Sequence, residues 1–185
     1  MTQKTRRFLL LSAIVVLSLI TKNVSAQTYG ARAIDLTIGY GLSVPYDDVD
    51  ATGEGFFLQG EYVMPLRSWA EFRPYLAVLL TSDDDDGFRA TTNAALVGAK
   101  ARIRAPIKWF APYLEGGVGV SIGTFETITP FANIDKSGPI LHIPATLGFE
   151  LGPRRGIDFA LTYFFHPSVE QFGGAVAFGI SIPLN

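Results

Sequence analysis

The chain has 185 residues, of which 48% are hydrophobic and 17% charged, with a formal net charge of −2 and no cysteine. This length favours a single domain, and the hydrophobic fraction excludes a disordered chain. The lack of cysteine excludes a disulfide scaffold, a thiolate zinc site and a cysteine nucleophile. No nucleic-acid partner is expected, because nucleic-acid binding needs a basic surface.

The N-terminus has the three parts of a secretory signal peptide. A basic start at residues 4–7 precedes an apolar run from Phe8 to Ile20, and the small-residue cleavage motif ends at Ala26. The apolar run is short for a transmembrane helix, which needs ~20 residues. We therefore predict a signal peptide at residues 1–26 and a mature domain at residues 27–185.

In the rest of the chain, apolar residues alternate with polar or small residues in eight segments. The period of two is the period of a β-strand. Each segment has about 9–11 residues, the length of a tilted strand that crosses a bilayer. The segments cover residues 34–43, 56–64, 72–81, 95–103, 113–122, 141–151, 157–166 and 175–184.

One face of every segment is wholly apolar, and the other carries glycines, polar groups and charges. A soluble sandwich or a lipocalin-like barrel has the opposite arrangement, with its apolar residues inside. A crowded, charged interior with an apolar exterior is typical of a small barrel in a membrane. The sequence therefore predicts an all-β fold, an eight-stranded antiparallel up-and-down transmembrane β-barrel.

The connections alternate in length and charge. Those after the second, fourth and sixth segments are short and mostly basic, at residues 65–71, 104–110 and 152–156; those after the odd-numbered segments are mostly longer and more acidic, at residues 44–54, 82–93, 124–139 and 167–174. Short turns face the periplasm and long loops face outward in outer-membrane barrels. Trp69, Phe72, Trp109 and Phe110 supply an aromatic belt at the turn end.

Residues 30–185 resemble the small eight-stranded outer-membrane β-barrel proteins of Gram-negative-type bacteria, the OmpA and OmpX class. The resemblance rests on the strand periodicity and on glycine-rich stretches such as PYLEGGVGVS at residues 112–121. It implies a location in the cell outer membrane, with outer-membrane lipids and lipopolysaccharide as partners. Many members end in an aromatic residue that assists assembly, whereas this chain ends in Asn185.

Four consecutive aspartates, Asp83 to Asp86, are followed by Gly87. Such a charge run is ordinarily a solvated loop tip. Carboxylate oxygens also bind Ca²⁺ and Mg²⁺, so these aspartates are candidates for an exchangeable divalent-cation contact with lipid phosphates. The spacing lacks the full pattern of a calcium-binding loop, and no residue is assigned as a dedicated metal ligand.

His166 and Ser168 lie two residues apart at the end of the seventh segment, with Glu170 nearby. Residues at this spacing on a strand point the same way. The pair resembles the His-x-Ser motif of lipid A deacylases of the PagL type. In that family an asparagine follows the serine and the catalytic glutamate comes later, whereas here Val169 follows and no acidic residue occurs after Glu170. The alternative interpretation is a polar strand end before a turn.

The inward faces predict two different halves of the lumen. The periplasmic half collects the charged residues Asp35, Glu61, Arg73, Lys100, Arg102, Glu115, Glu150 and Asp158. Charges in so small an interior have to pair, so we predict an ion-pair plug. The outer half has mostly small residues, and its larger members are Phe57, Leu79, Leu96, His142, Phe164 and His166. Either a phenylalanine-filled core or a shallow pocket fits this composition.

The function predicted from these features is that of a non-enzymatic outer-membrane barrel with a structural, envelope-stabilising or surface-interaction role. The alternatives are a hydrolase resembling the lipid A deacylases, which would use His166 and Ser168, and a binder of a small hydrophobic molecule in the outer half of the lumen. No catalytic, cofactor-binding or metal-binding residue is assigned, no cofactor is expected, and the sequence does not fix an oligomeric state.

Overall fold

The computed structural model describes residues 32–47, 51–83 and 87–184. The predicted signal peptide at residues 1–26 and three of the four aspartates, Asp84 to Asp86, lie outside the described residues. The eight strands are β1 (Ala33–Pro45), β2 (Gly53–Arg67), β3 (Ala70–Ser82), β4 (Arg89–Arg104), β5 (Phe110–Ile128), β6 (Asn133–Leu151), β7 (Ile157–His166) and β8 (Gln171–Pro183).

Each strand pairs antiparallel with its neighbours in the sequence, and the pairing of β1 with β8 closes the barrel. Ile34 lies opposite Tyr62 on β2 and Ile182 on β8, which shows the register on both sides of the closing strand. The predicted fold class, an eight-stranded antiparallel up-and-down barrel, is confirmed. In the part of the chain that the structure describes, no helix has the length and apolar character needed to cross a membrane.

The inward and outward faces follow the predicted alternation. On β6, Thr146 and His142 are buried inside the barrel, whereas Leu147 is 55% exposed on the outer wall. Large apolar side chains are exposed on the outer wall of every strand, Leu76, Val118 and Val176 among them. Exposed apolar surface of this extent is not found on soluble monomers, and a closed barrel satisfies its backbone hydrogen bonds without water. The outer wall is therefore a lipid-facing surface.

The strands are longer than the sequence pattern predicted. β5 and β6 each have 19 residues, and only residues 129–132 connect them, so the predicted long loop at residues 124–139 is wrong. The charges of Glu126, Asp135 and Lys136 suggested a loop, but they lie on a solvated part of paired strands. Phe125 and Thr127 continue the inward alternation and are buried, which is why the ladder extends so far.

The connections at the two ends differ less in length than predicted. Those after odd-numbered strands define the loop end, at residues 46–52, 83–88, 129–132 and 167–170; those after even-numbered strands define the turn end, at residues 68–69, 105–109 and 152–156. The predicted turn at residues 65–71 is mostly strand. Its Glu71 is the second residue of β3 and is buried inside the barrel.

Candidate functional site: the barrel lumen

The turn-end half of the lumen is filled by a network of ion pairs between buried side chains. Its cations are Arg73, Lys100, Arg102 and Arg104, and its carboxylates are Asp35, Glu61, Glu71, Glu115, Glu150 and Asp158. These side chains project from seven of the eight strands, since alternate residues of each strand face inward. The predicted plug is confirmed, and the structure adds Glu71 and Arg104 to it.

Arg73 and Lys100 form the centre of this network. The Arg73 Nε lies 2.7 Å from Glu61 Oε2, its Nη1 lies 2.8 Å from Glu71 Oε2, and its Nη2 contacts Asp35. The Lys100 Nζ lies 2.6 Å from Glu115 Oε2. Both cations are 1% exposed, so their charges are neutralised by protein groups rather than by bulk water.

Arg102 binds a second group of carboxylates beside the first. Its Nε lies 2.6 Å from Glu115 Oε1, and its Nη1 lies 2.7 Å from Glu150 Oε1 and 3.1 Å from Asp158 Oδ2. The guanidinium carbon lies 3.6 Å from the centre of the Tyr113 ring, whose hydroxyl donates to Asp158. Charge pairing and cation–π contact together fix this arginine across the lumen.

A chain of neutral polar side chains continues the network toward the loop end. The Lys100 Nζ lies 5.3 Å from the centre of the Tyr75 ring, and the Tyr75 hydroxyl contacts His142 Nε2. His142 Nδ1 lies 2.7 Å from Ser121 Oγ, which lies 2.9 Å from His166 Nε2. We call Tyr75, His142, Ser121 and His166 the histidine chain. All four side chains are buried, so each depends on the others for hydrogen bonds.

Apolar side chains surround the histidine chain and fill the loop-end half. The buried members of this core include Phe57, Leu79, Leu96, Phe125, Phe164 and Val169. The Phe164 ring meets the His142 ring edge-on, with centroids 5.4 Å apart. Of the two possibilities that the composition left open, a pocket or a phenylalanine-filled core, the structure has the filled core.

The loop end of the lumen is covered by residues 89–92 of β4 and residues 124–137, the outer part of the β5–β6 hairpin, which we call the loop-end cap. These residues extend past the last pairs with β3 and β7, at Leu80–Asn93 and Phe165–Ile143. The Thr127 hydroxyl donates to the Val169 carbonyl at 2.8 Å.

Two further hydrogen bonds hold the cap in place. The Gln171 side chain donates to Thr92 Oγ1 at 3.0 Å, and Thr129 Oγ1 donates to Asp47 at 2.5 Å. The first joins the cap to β8, and the second joins its tip to the connection between β1 and β2. The cap thus contacts the wall on the far side of the lumen and closes the barrel mouth.

The candidate hydrolase residues are separated in the structure. His166 is fully buried and contacts Ser121, whereas Ser168 is exposed in the turn that follows β7. The histidine therefore meets a serine that the sequence pattern did not single out. Among the aspartates proposed for a divalent cation, only Asp83 belongs to the described residues. Within the described ranges no group of three or more potential metal ligands is found.

Sequence reasoning missed Glu71 and Phe125 as parts of the lumen, and it missed the histidine partners of Ser121. Ser121 was assigned to the inward face of its strand, but its histidine partners lie 21 and 45 residues away along the chain. The signal available was the shared inward direction of Ser121, His142 and His166. Their equal depth in the barrel depends on the stagger of β5, β6 and β7, which the sequence does not state.

Comparisons with known proteins identify the fold. No family model matches the chain, and no curated protein matches it. Neisserial surface protein A aligns with a TM-score of 0.54 and 10% identity, over 83% of this chain and 97% of that chain. The attachment invasion locus protein Ail of Yersinia pestis aligns with a TM-score of 0.50 and 14% identity, over 83% and 99%. The outer membrane enzyme PagL aligns with a TM-score of 0.48 and 14% identity, over 81% and 99%.

The fold is that of the small outer-membrane β-barrels. The predicted resemblance to this class is thereby confirmed at the level of architecture. Antiparallel barrels with an even number of strands and an apolar outer wall are the form that proteins take in the bacterial outer membrane. The closed eight-stranded barrel and its lipid-facing wall place this chain there.

Proposed function

We propose that this outer-membrane barrel is a non-enzymatic, non-conducting protein that acts through its surface, with its loop end outside the cell. The observation that carries the proposal is the filling of the lumen along its length. Arg73 and Arg102 close the turn-end half with their carboxylates, and Phe57 and Phe164 close the loop-end half. A barrel of eight strands has no room for an aqueous channel beside such side chains.

In the part of the barrel rim that the structure describes, no nucleophile is paired with a base, which supports a non-enzymatic role. A hydrolase needs a serine within hydrogen-bond distance of a base, at a place that substrate can reach. Among the described residues, Ser168 is exposed without such a base, and Ser121 has two histidines but lies in the packed interior. This arrangement favours the surface role over the deacylase alternative.

The loop-end cap supports contacts with partners outside the membrane. Phe131, at the tip of the hairpin, is 85% exposed, and the turn that presents it is held by hydrogen bonds from the Phe131 and Ala132 amides to Thr129 Oγ1. In the described chain no strand pairs with the free edge of β6 from Asn133 to His142. A rigid exposed aromatic residue beside an open strand edge is a surface of the kind that proteins use for recognition.

Two measurements test the central claim. In planar bilayers the purified barrel should give no stepwise conductance, with a large porin as the positive control. Lipid A from cells with and without the chain should have the same acyl-chain composition. Conductance steps, or the loss of one acyl chain, would contradict the proposal, the first by showing an open lumen and the second by showing a lipid hydrolase.

A variant with a shortened β5–β6 hairpin distinguishes the two non-enzymatic roles, which are envelope stabilisation and surface contact. In this variant a four-residue turn replaces residues 126–135, which leaves the barrel wall intact. Uptake of a hydrophobic dye reports on envelope stabilisation, and settling of cells from suspension reports on surface contacts. We expect the variant to rescue dye exclusion in cells that lack the chain, and to fail to rescue settling. Rescue of settling by the variant would show that the surface contacts do not depend on the hairpin.

A further inference from the structure

In the histidine chain, the hydroxyl hydrogen of Ser121 has an acceptor only when the two imidazoles are not both charged. A neutral imidazole has one N–H donor and one acceptor nitrogen. With both rings neutral, Tyr75 can donate to His142 Nε2, His142 Nδ1 to Ser121 Oγ and Ser121 to His166 Nε2, and the opposite direction of donation satisfies the same three contacts. Each of the three contacts then joins one donor and one acceptor, while the buried His166 Nδ1 at the end of the chain has no hydrogen bond within the described residues.

A second proton breaks this arrangement. One charged imidazole is accommodated, because the Tyr75 and Ser121 hydroxyls can each donate or accept. Starting from donation by Tyr75, a charged His142 reverses only the Tyr75 contact, and a charged His166 reverses all three. When both rings are charged, Ser121 faces an N–H from His142 and an N–H from His166, and its own hydrogen has no acceptor between them. Two positive rings would also lie with centroids 5.7 Å apart in an apolar core, where charge is poorly solvated.

The charged and titratable groups on the neighbouring strands do not compensate for this charge. These groups are Tyr75 on β3, which contacts His142, and Lys100 on β4, Glu115 on β5 and Glu61 on β2, which follow on the turn side of Tyr75. The two glutamates already pair with Lys100, and the lysine adds a third positive charge next to Tyr75. Within the described ranges, no carboxylate forms an ion pair with either histidine. At the mouth, Asp47 and Glu170 lie in connections, and Asp47 accepts the hydrogen bond from the cap.

His166 is connected directly to the loop-end cap. Its ring packs against Phe125 of the cap, with centroids 5.4 Å apart. Its carbonyl accepts a hydrogen bond from the Val169 amide at 3.2 Å, and the Val169 carbonyl accepts the Thr127 hydroxyl of the cap. A displacement of His166 therefore affects both the apolar and the polar contact that hold the cap over the mouth.

We propose that the histidine chain is an acid-sensitive latch, which keeps the loop-end cap closed at neutral pH and releases it when both imidazoles are protonated, opening the loop-end half of the lumen to water. Histidine is the side chain that ordinarily changes charge between pH 5 and 8, and this range applies to the open form, in which water reaches both rings. This inference rests on the proposed function, in which the lumen is sealed. It adds that acid opens the seal at the loop end. The ion-pair network at the turn end stays in place, so the opening creates a pocket and no channel.

The test uses a single cysteine in a chain that has none of its own. Ala94 is buried in the loop-end core, and Ala94→Cys adds a single sulfur atom to its side chain. Gly87→Cys in an exposed connection is the reference, because it corrects for the pH dependence of the thiol itself. Each folded barrel is labelled in detergent with a water-soluble thiol reagent at about pH 7.5 and about pH 4.5, on either side of the ordinary histidine range.

We expect the labelling rate of Ala94→Cys, divided by that of the reference, to be low at neutral pH and to rise at least about tenfold in acid. In the background His142→Gln with His166→Gln the ratio should stay low at both pH values, because glutamine takes up no proton. His166→Gln alone should have the same effect, since it prevents the second protonation, and it serves if the double variant does not fold.

Each other outcome has a separate meaning. A ratio that stays low at both pH values with both histidines present overturns the latch and leaves the sealed barrel standing. A rise that persists in the glutamine backgrounds also overturns the latch, because another group then titrates. A high ratio already at neutral pH contradicts the sealed lumen, and with it the proposed function.

Discussion

Gly119 on β5 lies opposite His142 on β6, and its missing side chain leaves the space in which the imidazole reaches the Tyr75 hydroxyl. A methyl group built on Gly119 would lie 2.7 Å from the Tyr75 oxygen and would also collide with the His142 ring. One glycine therefore determines whether the histidine chain forms. The inward glycines of this barrel act less as flexible joints than as places where larger neighbours fit.

Gly119→Ala should destabilise the barrel, because the new methyl group displaces two buried and hydrogen-bonded side chains. Overpacking of this kind costs about 1–3 kcal/mol. Gly116→Ala is the matched control, since it is on the same strand and nothing lies within 4 Å of the added methyl group. Urea titration of both variants in lipid vesicles measures the difference. Equal midpoints for the two variants would mean that the Tyr75–His142 contact does not form.

Arg102 and Glu115 should show strong coupling in the free energy of unfolding. Arg102→Met leaves Glu150 and Asp158 without their 2.7 Å and 3.1 Å contacts, and stranding a buried charge costs about 3–5 kcal/mol. The double variant with Glu115→Gln should lose less than the sum of the single losses. A double-mutant cycle in lipid vesicles measures this coupling.

The exposed pair Arg89 and Glu126, 3.6 Å apart, provides the comparison for that cycle. Its side chains are about one-third exposed, and exposed pairs contribute only about 0–1 kcal/mol. Coupling at Arg102 and Glu115 no larger than at this pair would show that water reaches the network. The lumen would then be open rather than sealed.

Leu147→Arg should destabilise the barrel by about 2–4 kcal/mol, the cost of an arginine on the lipid face near the bilayer midplane. Thr146→Arg tests the opposite face, where Thr146 is buried and contacts Thr162 at 3.2 Å. Thr146→Arg should destabilise the barrel by overcrowding the lumen, and this loss of stability should appear in detergent as well as in lipid. A cost of Leu147→Arg that is independent of bilayer thickness would argue against a lipid-facing position.

The orientation of the barrel predicts which ends can be labelled in intact cells. A cysteine at Phe131, at the tip of the loop-end cap, should react with a reagent that does not cross the outer membrane. A cysteine at Arg154, in the connection between β6 and β7, should react only after the membrane is permeabilised. Both positions are exposed, so the difference reports on the side of the membrane. The reverse labelling pattern would show that the barrel has the opposite orientation in the membrane.

The sequence by itself determined the eight strands, their faces and the inward direction of eight of the ten charges in the plug, all except Glu71 and Arg104. Alternation with a period of two is a local property, so Ile34 and Asp35 on neighbouring positions already state which side faces lipid and which faces the lumen. The prediction of paired charges also needed no structure, because an eight-stranded interior is too narrow to solvate them.

Only the tertiary structure decided which side chains meet at the same depth. Partners such as Ser121 and His166 come from distant strands, and their meeting depends on the stagger of the barrel, which no local pattern encodes. The charges of Glu126 and Asp135 suggested a loop, whereas pairing between them and burial of Phe125 extend the strands instead. Cross-strand pairing and core packing are long-range energies, and here they outweighed the local preference for a loop.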